Sequence, residues 1–145
     1  MGGLSEALHD PARRDAVIAD CAALVDAEVS GTRGLSGATL KAGYAAFQRI
    51  APGIVPAALT RLLPRFVPAL EPHWDTAVAS GAPQQYFDER QGEVADALLG
   101  VTDELALRSS NRVLVRLYRS LRKRARKHVM AAVPRLPALI AAHVA

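Results

Sequence analysis

The sequence predicts an all-α, single-domain bundle of five to seven helices, and three observations predict it. Alanine supplies 28 of the 145 residues, Asn occurs once, and aromatic residues make up 5%, so intrinsic propensity leans to helix over strand. Half of the residues are apolar, which suits one ordinary core at this length. Along the chain those apolar residues recur at helical spacing, three and four apart.

The first helix is expected in "HDPARRDAVIADCAALVDAEVSG". Asp10 offers an acceptor to the free N–H groups at the start, and Pro11 suits the first helical position, where its missing donor is not needed. Val17, Ile18, Cys21, Leu24, Val25 and Val29 form one apolar face, and Gly31 is a natural stop. A second helix is expected from Ser36, as its cap, through Leu40, Tyr44, Phe47 and Ile50. Ala42, Ala45 and Ala46 leave room there for a close neighbour.

The next segment, "PGIVPAALTRLLPRFVPALEP", places prolines at 52, 56, 64, 68 and 72, a register of four broken only by Thr60. Each proline inside a helix costs about 3 kcal/mol, through a lost hydrogen bond and a ring clash. Five such costs predict a series of short helical pieces: one from Pro56 to Leu63, interruptions at Pro64 and Pro68, and a new start at Pro72 that ends before Gly81. Four residues turn a helix through about 400°, so the prolines share one face. The carbonyls they free need water or a donor, so that face is expected to be wet.

After "SGAPQQYF", read as a loop or short turn, Asp88 is expected to cap a long helix through Leu107, with Val94, Leu98, Val101 and Leu105 inward. "RSSN", residues 108–111, is the expected break, with Ser109 or Ser110 as the next cap. The last long helix is expected from about Asn111 to Val133, with Leu114, Leu117, Tyr118, Leu121, Ala125, Val129 and Ala132 inward. Pro134 and Pro137 end it, and "LPALIAAHVA" forms an apolar tail.

The net charge of +4 hides strong segregation. Residues 1–28 carry −4, 29–70 carry +5, 71–104 carry −7 and 105–145 carry +10. Within the last block Arg112, Arg116, Arg119, Lys123, Arg126 and Lys127 fall on one helical stripe opposite the leucines. Such a face suits an acidic protein surface, another subunit or anionic lipid headgroups, with nucleic acid ranked below them. The preceding helix supplies a competitor, an acidic stripe of Glu89, Glu93, Asp96, Asp103 and Glu104. Folded back as a hairpin about residue 108, Glu104 would face Arg112, Glu93 Lys123 and Glu89 Lys127, with Asp96 opposite Ser120.

No constellation specifies a reaction. His9, His73, His128 and His143 lack H-E-x-x-H or E-x-x-H spacing, so neither a metal nor another cofactor is expected. His73 and Asp75 flank Trp74, an arrangement that fits helix capping around a buried Trp better than a general base. Cys21 has no basic neighbour and reads as a small buried hydrophobe. "GTRGLSG" lacks the G-K-[ST] ending of a phosphate loop. The N-terminus has no secretory pattern, and uncharged stretches such as Ile50 to Thr60 fall short of the roughly 20 residues of a membrane span. The expected location is cytoplasmic, with peripheral membrane contact as an option.

Two apolar, proline-interrupted stretches remain: residues 51–67, with Ile54, Val55, Leu59, Leu63, Phe66 and Val67, and the tail from Val133. They are expected to pack together as core. The functional alternative is a pocket for an apolar ligand, or an element that meets lipid. The run "GLSGATLKAGYAAFQRIAPGIVPAALTRLLPRFVPALEPHW", with "VTDELALRSS" and "LRKRARKHVMAAVPRL" downstream, resembles a family of small actinobacterial helical proteins of unknown function. The resemblance spans nearly the whole chain and implies no activity. The leading expectation is therefore a non-enzymatic binding or scaffold protein acting through its basic helix; an apolar-ligand or lipid-associated protein is the alternative.

Overall fold

The structure, a computed structural model, describes Glu6 and residues 8–144, without the Ser36 side chain. Among these residues it is all α, with no strand: α1 Pro11–Gly31, α2 Gly34–Ile50, α3 Ile54–Ala79, α4 Pro83–Glu89, α5 Gln91–Arg108, α6 Arg112–Ala132, a 3₁₀ turn Val133–Arg135, and α7 Leu136–His143. Asp10 caps α1 by accepting from the Ala12 N–H at 3.0 Å, with Pro11 as the first helical residue. α1 ends at Gly31 as the sequence predicts. The next start differs: α2 begins at Gly34, so Ser36 lies inside the helix rather than capping it. Gly53 holds φ 76°, a left-handed conformation available to glycine, in the turn between α2 and α3, which meet at 96°.

The largest correction concerns the prolines. In place of short pieces, α3 is one helix of 26 residues with Pro64, Pro68 and Pro72 inside it. Two of the five expected costs vanish by position. Pro52 lies in the preceding turn, and Pro56 sits in the first helical turn, where its N–H would have no intrahelical partner. The other three are tolerated because the register of four keeps every one on the outside. Pro52, Pro56, Pro64, Pro68 and Pro72 are all exposed, whereas Leu59, Leu63, Val67, Leu70 and Ala77 of the same helix are buried. The carbonyls freed by Pro64, Pro68 and Pro72 belong to Thr60, Pro64 and Pro68, which are exposed too, so water can satisfy them. Burial of the opposite stripe then offsets the broken ladder. Pro68→Ala is accordingly expected to stabilise the protein by about 1–3 kcal/mol, through the restored bond to the Pro64 carbonyl. A urea unfolding midpoint that falls instead would show that the ring contributes packing.

"PQQYFDE", expected as a loop or turn, is α4, and Asp88 lies within it, accepting from Gln84 Nε2 at 2.9 Å rather than capping α5. α5 starts at Gln91 after Arg90, whose guanidinium stacks 4.3 Å from the Tyr86 ring centroid. The cap of α6 is Asn111 rather than a serine: its Oδ1 accepts from the Leu114 N–H at 3.1 Å, and Ser109 Oγ in turn accepts from the Asn111 N–H. α5 and α6 form the expected hairpin, with α3 against α5, α1 across α3, and α2 on α6.

Packing is uneven along the bundle. Val67, Leu70 and Ala77 of α3, Tyr86 and Phe87 of α4, Val94 and Ala95 of α5, Val133 and Ile140 make the dense core, with Trp74 at its edge. By contrast α6 buries no residue and α1 only Val17. The consequence of that imbalance is a void.

Candidate functional site

A cavity of about 320 Å³, partly open to solvent, lies among α1, α3, α5, α6 and α7. Val17, Leu24 and Val25 of α1 close one wall, Leu59, Leu63, Phe66 and Val67 of α3 the next, and Leu98, Val129, Leu139 and Ile140 the remainder. Of the six apolar residues that the sequence offers for a ligand, these four of α3 line the cavity. Ile54 and Val55 sit half-buried in the first turn of α3, outside the lining. The C-terminal stretch expected to pack against α3 instead faces it across this space, with Leu136, Leu139 and Ile140 in the same lining.

α1 spans the cavity and is fastened at its edges by polar bonds. Asp20 meets His143 Nε2 at 2.6 Å, Arg13 donates to the His143 carbonyl at 2.5 Å, and Glu28 pairs with Arg135 at 2.7 Å. The polar residues of the lining are therefore already engaged. Glu28 and His143 belong to those clasps, and Thr102 Oγ1 bonds the Leu99 carbonyl and the Tyr118 hydroxyl. Burial first, and Lys127 second, lower the His128 pKa against the pull of Glu28, which favours the neutral imidazole. Cys21 also lines the space, its thiol pushed up to about 11 by burial and by Asp20, so it is protonated at neutral pH as a small hydrophobe should be. No buried side-chain polar atom among the described residues lacks a hydrogen-bond partner. The cavity thus presents hydrocarbon to whatever fills it.

The basic stripe lies on the opposite side of α6. Arg112, Arg116, Arg119, Lys123 and Lys127 are exposed, and among the described residues none of them pairs with a carboxylate. Arg126 alone of the six is paired, with Asp96 at 2.8 Å. The hairpin register differs from the expected one. Asp103 binds Arg122 through both oxygens, at 2.8 and 3.1 Å, and accepts from the Tyr118 hydroxyl at 2.5 Å, while Glu104 turns to Arg108 on its own helix. These cross-helix pairs reflect about residues 110–113 rather than 108. Asp96 thus meets Arg126 in place of Ser120, and the displacement brings in Arg122 and Tyr118 while it leaves the outer stripe uncovered.

The Arg122 guanidinium, and then the Tyr118 hydroxyl, hold the Asp103 carboxyl below the usual carboxylate range, with burial opposing them. Burial, then the bond to Asp103, pushes the Tyr118 hydroxyl up to about 12. The two ends of the pH scale follow. Because the folded pKa of Asp103 lies below its unfolded value, its stabilising contribution is complete above about pH 4 and is lost as pH falls further. Because the Tyr118 value is raised, its contribution is complete below about pH 10 and is lost as pH rises toward 12. Asp103→Asn is expected to flatten the acid limb of the stability profile and to lower the Tyr118 titration, read as tyrosinate absorbance. An unchanged Tyr118 titration would contradict the pairing.

His73 and Asp75 do not come together. His73 Nδ1 meets the Tyr86 hydroxyl at 2.9 Å, Asp75 is exposed, and neither lines the cavity. Among the described residues no group of three His, Cys, Asp or Glu side chains is placed to hold a metal ion. A family model described as a family of unknown function, DUF6918, matches residues 4–144. No curated protein and no solved structure matches the chain.

Proposed function

Because the chain belongs to the DUF6918 family, whose function is unknown, we propose from the cavity alone that the protein binds a single apolar chain, with the chain's polar end outside. The carrying observation is a space of about 320 Å³ whose lining is hydrocarbon and whose few polar groups already have protein partners. At roughly 30 Å³ for a group the size of one water molecule, the space takes about ten methylene-sized groups. Burying each is worth about 0.8 kcal/mol. Association costs take back at least about 4 kcal/mol, so dissociation constants no tighter than about 1 mM are expected for a simple chain.

A homologous series of straight-chain carboxylates tests the reading. Affinity, measured by calorimetry below the micelle concentration, should rise about fourfold per added methylene and level off near a dozen carbons, where the cavity is full. Affinity that keeps rising with length would mark adsorption to the surface, and no binding at any length would remove the reading.

A further inference from the structure

The outer face of α6 is built for a different contact. Arg112, Arg116, Arg119, Lys123 and Lys127 occupy about 80° of the helix circumference and run about 22 Å along it, opposite the inward leucines. Four of the five acids of the neighbouring stripe are engaged elsewhere, Asp103 on Arg122, Asp96 on Arg126, Glu104 on Arg108 and Glu89 on Arg90, and the fifth, Glu93, is exposed and, among the described residues, makes no ion pair with the basic stripe. The hairpin turn at one end of the stripe is flanked by Leu107, 79% exposed, and Val113, 55% exposed. A row of cations that ends in two solvent-facing aliphatic side chains matches a surface that is anionic in its headgroup layer and apolar just beneath.

We infer that this face docks the protein on an anionic lipid surface, with the cations of α6 against the headgroups and Leu107 and Val113 entering the layer below. The aliphatic pair selects this partner over a nucleic acid, whose phosphate backbone offers such side chains nothing. The contact is separate from the cavity, since the stripe and the cavity-lining residues His128, Val129 and Ala132 lie on opposite sides of α6. Either reading can therefore fail alone. Each cation near an anionic surface strengthens binding about fivefold, and the effect is screened as salt rises.

Sedimentation with vesicles of phosphatidylcholine, with and without phosphatidylglycerol, tests the inference. The protein should pellet with the mixed vesicles at low salt, stay in solution with pure phosphatidylcholine, and be released by added salt. The triple variant Arg116→Gln, Arg119→Gln, Lys123→Gln should lose about 100-fold in affinity while carboxylate binding in the cavity stays unchanged. Leu107→Ser should weaken vesicle binding at every salt concentration without altering the salt slope. Equal pelleting with neutral vesicles overturns the inference. So does failure to bind mixed vesicles at low salt, whether the protein instead retains duplex DNA, self-associates through the stripe, or does neither.

Discussion

Phe87→Ala is expected to cost about 3–5 kcal/mol, a large share of the roughly 5–15 kcal/mol that holds an ordinary domain folded. Phe87 is fully buried, and its ring meets the Trp74 ring edge-on, with centroids 6.2 Å apart, and the Tyr86 ring at 5.7 Å. α4 has seven residues, too few for a helix to persist on local hydrogen bonds alone. Burial of Tyr86 and Phe87 between α3, α5 and α7 is what holds it, so truncating the ring removes both the transfer free energy and the reason for the helix. The change in urea unfolding free energy decides the matter. A loss under about 1 kcal/mol would mean that the dense core lies elsewhere.

The second large effect is on the cavity. Leu63→Trp adds volume to the α3 wall, roughly that of two methylene-sized groups. In a tightly packed core such a change strains neighbours and costs about 1–3 kcal/mol. In a void it fills space, and stability is expected to hold or rise by about 0.5–2 kcal/mol. The same substitution should shorten the carboxylate at which affinity levels off by about two carbons and weaken dodecanoate at least tenfold. Leu139→Trp, on the opposite wall, should do likewise, which guards against an effect peculiar to one site. Destabilisation by both variants, with ligand binding unaltered, would contradict the cavity.

Much of the helix order was legible from residue chemistry. Asp10 and Pro11 start α1, Gly31 ends it, and the apolar stripe of α6 faces inward, because caps and periodicity act over a few residues. Costs that depend on which side meets water were less legible. The prolines read as breaks when counted one by one, yet the same register of four that exposed them made a 26-residue helix tolerable. The α5–α6 pairs depended on the register in which the two helices fold back on each other. Moving the centre of reflection from residue 108 to about 111 pairs Asp103 with Arg122 and Asp96 with Arg126, in place of Glu93 with Lys123 and Glu89 with Lys127. The cavity itself had no direct signal. Val17, Leu24, Leu63 and Val67 have the composition of core, and only the packing of α1 and α6 against the rest leaves space between them.

The decisive property of the protein is where an apolar chain goes. Methyl NMR spectra of the protein titrated with sodium dodecanoate report that position residue by residue. Saturable shifts are expected at Leu24, Leu63, Val67, Leu98 and Leu139, which line the cavity, with Ile54, Leu107 and Val113 unmoved. Shifts confined to the exposed methyls of Leu107 and Val113, or shifts that grow without saturating, would contradict the claim that this cavity is the binding site.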